Sequence, residues 1–149
     1  MKQYILDTSA LLAYIENEEG VTEIQGLFEQ ALDDQIELFV SVVSCIEVFY
    51  ISWQEQGANT ARDRLKLITD LPVTQQVVDD AMVETVATLK ATKIMSFADC
   101  CIAGLAIHKN AILVHKDPEY EQVGDQFQQV KLPYKKKVTK PIAKSKKGE

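Results

Sequence analysis

The stretch Gln3-Tyr4-Ile5-Leu6-Asp7-Thr8-Ser9-Ala10-Leu11-Leu12 decides how the rest of the chain is read. Its first four residues form a short β-prone run that halts at three small polar residues, the side chains that best cap helices. Ala10, Leu11, Leu12, Tyr14 and Ile15 then fit a short helix. The chain therefore opens as strand, acid, capped helix.

Working outward, the same alternation continues. Val21, Ile24, Leu27, Phe28, Ala31 and Leu32 repeat at helical spacing, and Ile36-Glu37-Leu38-Phe39-Val40 reads as a second strand. A third helix is predicted over 41–56, with Gly57 at its C-cap, and a fourth over 58–69. Leu71-Pro72-Val73 is a strand candidate, residues 75–91 and 96–109 read as two more helices, 111–114 as a buried strand, and 129–132 as a last short one. Strands alternating with helices imply crossover connections and a sheet covered on both faces. The fold class is α/β: three layers, α/β/α, around a mainly parallel central sheet of four to five short strands.

Size and composition agree. The 149 residues suit one domain, and 46% hydrophobic with 26% charged residues argues against a disordered, collagen-like or disulfide-framework chain. No uncharged apolar run approaches the ~20 residues needed to cross a bilayer, so no membrane role is expected. Asp7 comes too early for a signal peptide, and Cys45, Cys100 and Cys101 are an odd set with two adjacent members. Reduced thiols and a cytoplasmic location are the expectation.

Charge is unevenly distributed. From Lys131 onward, eight lysines face Glu149, a local charge of +7 within a total of −6, which leaves −13 on the other 130 residues. A body that acidic repels phosphate, so a nucleic-acid role requires bridging cations, a basic tail or a dimer groove. The domain is read as residues 1–132, and residues 133–149, lysine-rich and without periodicity, as a disordered tail.

Four acids stand where an explanation is needed. Asp7 and Asp117 follow strands, at the carboxyl edge where ligands gather in open parallel sheets, although either could simply cap the next helix. Glu47 has Val43, Tyr50 and Ile51 as same-face helical neighbours, a costly place for a lone carboxylate unless it reaches solvent or a partner. Asp99 completes a Ser96-x-x-acid capping box, a local role that does not exclude a second one. Convergence of all four on one crevice would raise their pKa values unless cations lay between them. An all-oxygen donor set suits Mg²⁺ or Mn²⁺, and such sites suit phosphodiester chemistry.

At these residues the sequence resembles the PIN domain, and specifically the VapC-like ribonuclease toxins. The matching pieces are Leu6-Asp7-Thr8-Ser9-Ala10-Leu11-Leu12, Ser44-Cys45-Ile46-Glu47-Val48, Ser96-Phe97-Ala98-Asp99-Cys100-Cys101-Ile102-Ala103 and His115-Lys116-Asp117-Pro118-Glu119-Tyr120. The resemblance spans about residues 3–131. It implies that Asp7, Glu47, Asp99 and Asp117 are catalytic and bind the metal, with Ser9 a hydroxyl beside the first aspartate and His115 and Glu119 as supporting candidates. His115 stands where the family usually has Thr or Ser, and Tyr120 where it usually has Phe.

The resemblance further implies a Mg²⁺- or Mn²⁺-dependent endoribonuclease leaving 5′-phosphate and 3′-hydroxyl ends. It would be the homodimeric toxin of a type II toxin–antitoxin pair, with RNA as substrate and a small antitoxin as partner. The alternative is a non-catalytic PIN-like protein or RNA binding module. Glu119 and Asp125 otherwise read as solvated loop acids, and Phe49, Tyr50 and Trp53 as core or dimer packing.

Overall fold

A computed structural model describes residues 1–135. Three short apolar runs become the central strands of a sheet, each paired with a neighbour on either side. Strands β1 (Lys2–Leu6), β2 (Ile36–Ser41), β3 (Thr74–Gln76), β4 (Ile112–His115) and β5 (Gln129–Lys131) form one sheet in the order β3-β2-β1-β4-β5. Every pairing is parallel. The helices are α1 (Thr8–Ile15), α2 (Val21–Leu32), α3 (Val42–Gln56), α4 (Ala58–Asp70), α5 (Val83–Thr92) and α6 (Phe97–Lys109), with 3₁₀ turns at Asp80–Met82 and Pro118–Val123.

Alternate strand residues feed two separate cores. Ile5, Phe39 and Leu113 pack with Val86, Leu89, Ile102 and Leu105 of α5 and α6. Leu6, Leu38, Val40 and Val114 pack on the opposite face with Leu11, Ile24, Val48 and Ile68 of α1 to α4. The three-layer α/β/α architecture follows directly. Each such aliphatic side chain contributes about 1.5–3 kcal/mol by leaving water.

Punctuation is local and specific. Ser41 Oγ accepts from the Val43 amide to start α3, and Gly57, at φ +93°, ends α3 and begins α4 in a conformation that glycine adopts without strain. Gly104 lets α6 approach α5: a Cβ there would lie 2.7 Å from Val86 Cγ2.

The sequence expectations fail around the third strand. Residues 71–73 are not a strand; β3 lies at Thr74–Gln76, and the helix expected from 75 begins only at Val83. The polar Gln75 and Gln76 register with Val40 and Ser41 of β2. Backbone pairing to an existing sheet edge outweighs their helix propensity. At the other end, Tyr134 and Lys135, assigned to the tail, contact the body: Tyr134 stacks over His115 and Lys135 pairs with Glu18 at 2.9 Å. The remainder of the expected tail, 136–149, lies outside the described residues.

Candidate metal centre

Because β1 and β4 are sheet neighbours, and the chain turns outward to opposite sides from them, their carboxyl ends form the switch point where an open parallel sheet leaves a crevice. Asp7 immediately follows β1, its amide donating to Val114 O of β4 at 3.1 Å. Asp117 follows β4 by two residues. A cleft of about 350 Å³ opens there, lined by Asp7, Thr8, Ser9, Leu12, Glu47, Ser96, Asp99, Asp117 and Glu119. All four sequence-predicted acids reach it.

Each acid is held by identifiable partners. Asp7 is 1% exposed; its Oδ1 accepts from Ser9 Oγ at 2.6 Å and from the Ala10 amide at 2.8 Å, so the capping and cleft roles coexist. The Ser9 oxygen in turn accepts from the Lys116 amide at 2.8 Å, lashing the start of α1 to the end of β4. Glu47 escapes its apolar neighbours by turning to the cleft, where Thr8 Oγ1 donates to Oε1 at 2.6 Å. Asp99 Oδ1 accepts from the buried Tyr120 hydroxyl at 3.0 Å. Asp117 Oδ1 accepts from the Glu119 amide at 2.9 Å.

The expected capping box at Ser96 is only half made. Ser96 Oγ accepts from the Asp99 amide at 3.1 Å, but the amide of Ser96 donates to Glu119 Oε1 at 2.9 Å instead of to Asp99. Glu119 thereby releases the Asp99 carboxylate into the cleft. It is not a solvated loop acid: oxygens of Asp99, Asp117 and Glu119 lie within 4.8 Å of one another, the tight acidic group among the described residues. Asp7 and Glu47 line the same cleft outside that group.

Crowding and burial appear in the protonation energetics. Burial pushes Asp7 up to about 7, with the Asp117 and Glu47 charges adding to it against the Ser9 and Ala10 hydrogen bonds. Asp99 rises to about 9, first through burial and then through the Glu119 and Asp117 carboxylates. Glu119 is held below the usual glutamate range chiefly by hydrogen bonding with Asp99. A cation would relieve both raised groups.

The PIN domain family model matches residues 4–126. The chain belongs to the PIN domain family. Its PIN fold superposes on a chain of VapBC2 from Rickettsia felis, solved bound to a DNA fragment from their promoter, with TM-score 0.73 and 15% identity over 88% of this chain and 99% of that one. DNA-bound VapBC from Salmonella typhimurium gives TM-score 0.71 at 16% identity, covering 88% and 98%. VapC20 from Mycobacterium tuberculosis, a sarcin-ricin loop cleaving toxin, gives 0.66 at 14%, covering 87% and 99%. At such identities the likeness is one of fold. No curated protein matches the sequence.

Within this PIN domain the donor set fits a hard divalent ion: carboxylate oxygens alone, several of them held too close for mutual ionisation. His115, a supporting candidate from the sequence, is placed by its hydrogen bonds. It does not line the cleft but is fully buried behind it, its Nδ1 accepting from the Asp117 amide at 3.0 Å and its Nε2 lying 2.8 Å from Gln129 Oε1. Burial pushes its pKa below the usual histidine range. Neither Thr8 nor the Tyr120 hydroxyl was assigned to the site from the sequence; the Tyr-for-Phe exchange is the signal that pointed to the latter.

Tyr50 and Trp53 are half-exposed rather than core. With Ile46 they give α3 an apolar outer face, beside a hollow of about 420 Å³ lined by Val42, Cys45, Ile46, Phe49, Tyr50, Leu65 and Gln75.

Proposed function

We propose that this PIN domain is a metal-dependent endoribonuclease acting as the toxin of a type II toxin–antitoxin pair in the cytoplasm. The observation that carries the reading is the convergence of Asp7, Glu47, Asp99, Asp117 and Glu119, drawn from four separate places in the chain, on one cleft at the switch point of the sheet.

Asp7, Glu47, Asp99 and Asp117 would hold Mg²⁺ or Mn²⁺, with Glu119 joining Asp99 and Asp117 in the tightest part of the acidic lining. When bound, such an ion polarises a phosphoryl oxygen and lowers the pKa of coordinated water. The chain's own residues orient and shield. Ser9 and Ala10 fix the Asp7 carboxylate, Thr8 turns Glu47 inward, and Tyr120 anchors Asp99. The acids of the cleft repel an RNA backbone until a cation is present.

The described residues contain no helix long and apolar enough to cross a membrane. Support for an antitoxin comes from the VapBC complexes that share the fold. The apolar outer face of α3 supports a protein partner, which this reading takes to be a second copy, giving a homodimer. The residues 136–149 supply six further lysines, which this reading assigns to the RNA.

The deciding experiment is cleavage of a structured RNA in Mn²⁺, in EDTA, and by Asp7→Asn. The expected result is cutting by wild type in Mn²⁺ alone. Equal cutting in all three overturns the reading. Absence of cutting by wild type, with Mn²⁺ bound and RNA retained, favours the non-catalytic binding module instead.

A further inference from the structure

Behind the cleft lies a part-buried chain of hydrogen bonds that links two of its acids. It starts at Asp117, whose amide donates to Nδ1 of His115 two residues earlier. Because Nδ1 accepts, the proton of the neutral ring sits on Nε2, which donates to Gln129 Oε1 on β5. Gln129 Nε2 then donates to the Tyr120 carbonyl at 3.1 Å, and the Tyr120 hydroxyl donates to Asp99. The imidazole also packs on the Tyr120 ring, centroids 4.7 Å apart.

We propose that His115 is the positioning residue of the acidic cleft: its Nδ1 fixes the turn presenting Asp117, and through Gln129 it fixes the tyrosine whose hydroxyl holds Asp99. A side-chain acceptor bonding the amide two residues on is the turn chemistry of Asn, Asp, Ser and Thr. A hydroxyl or amide at position 115 could make that bond, but neither a Ser nor a Thr side chain is long enough to carry a second bond across to β5. Histidine makes both. A phenylalanine at 120 would leave the far end of the chain without its bond to Asp99. His115 and Tyr120 therefore work as a pair, and the spacing of Asp99 and Asp117 depends on both.

The inference rests on the metal-binding reading, so the test uses Mn²⁺ itself. Calorimetric Mn²⁺ affinity is compared for wild type, His115→Leu, His115→Asn and Gln129→Leu, each with its melting temperature. His115→Leu removes both bonds and is expected to lose about 10–100-fold in affinity. His115→Asn keeps an acceptor for the Asp117 amide and is expected to fall between it and wild type; Gln129→Leu breaks only the second arm and carries the test if His115→Leu does not fold. Ile68→Val, a trim in the core on the other face of the sheet, should lower the melting temperature and leave Mn²⁺ binding unchanged. In RNA cleavage, raising Mn²⁺ should restore kcat to His115→Leu. Wild-type affinity in His115→Leu, or in Gln129→Leu where it substitutes, overturns the inference alone. Failure of wild type to bind Mn²⁺ overturns the metal reading, and the inference with it.

Discussion

Thr8, the first residue of α1, donates its hydroxyl to Glu47 of α3 at 2.6 Å, joining two helices 39 residues apart in sequence at the wall of the cleft. This bond explains how a glutamate among apolar helical neighbours stays turned toward the other acids. Thr8 is itself buried, so its hydroxyl has little alternative but this partner. Thr8→Val keeps the shape and removes the bond. Stability should fall by about 1 kcal/mol, while cleavage at limiting Mn²⁺ should fall about 10-fold; Thr8→Ser should restore both. Urea denaturation and initial cleavage rates check this, and an unchanged rate in Thr8→Val would mean that Glu47 needs no such anchor.

The buried Asp7 gives a pH dependence whose sign is fixed. Its folded value of about 7 lies above the ordinary 3.8, so the stability it contributes is fully present below pH 3.8 and is lost as pH rises through 7. Asp7→Asn retains an oxygen to cap Ala10 and carries no charge. In EDTA it should therefore be the more stable protein at pH 8, by a margin on the order of a few kcal/mol, and lose that advantage by pH 4. Saturating Mn²⁺ at pH 8 should narrow the gap by stabilising wild type. Denaturant midpoints at the two pH values test it; a difference that does not grow with pH counts against the buried, shifted carboxylate.

Gly104 sits in α6, where α5 crosses closely, and its missing side chain is filled by Val86. Valine is stiff at χ1 and cannot swing aside cheaply. Gly104→Ala should cost about 1–3 kcal/mol through overpacking, and Val86→Ala in the same chain should return part of that loss, giving a non-additive double-mutant cycle. Additive losses would show that the two helices adjust independently.

Lys135 pairs with Glu18, and both line a hollow that shares Ser9, Leu12 and Asp117 with the acidic cleft. Lys135 thus stands at the rim of the candidate site. Replacing the six lysines of 136–149 by glutamine should weaken binding of single-stranded RNA and flatten its salt dependence, each lost phosphate contact lowering the log–log slope by about 0.7. Fluorescence anisotropy in EDTA measures binding without cleavage. A slope equal to that of the unaltered chain would remove these lysines from RNA contact.

The amino-acid sequence alone carried the layer order, most element boundaries and the four acids at strand ends and helix starts, because alternation, capping and turn chemistry act over a few residues. Glu47 stood out for the same reason: its conflict with an apolar helix face is local. What only the tertiary structure decided is long-range. Pairing to β2 turned Gln75 and Gln76 from helix into strand, Glu119 took over the amide of Ser96 from Asp99, and His115 turned away from the cleft to grip Gln129. Each choice depends on a partner brought near by the fold. A side chain's neighbours in space set the cost of its burial and the partners for its hydrogen bonds, and short-range pattern does not encode them.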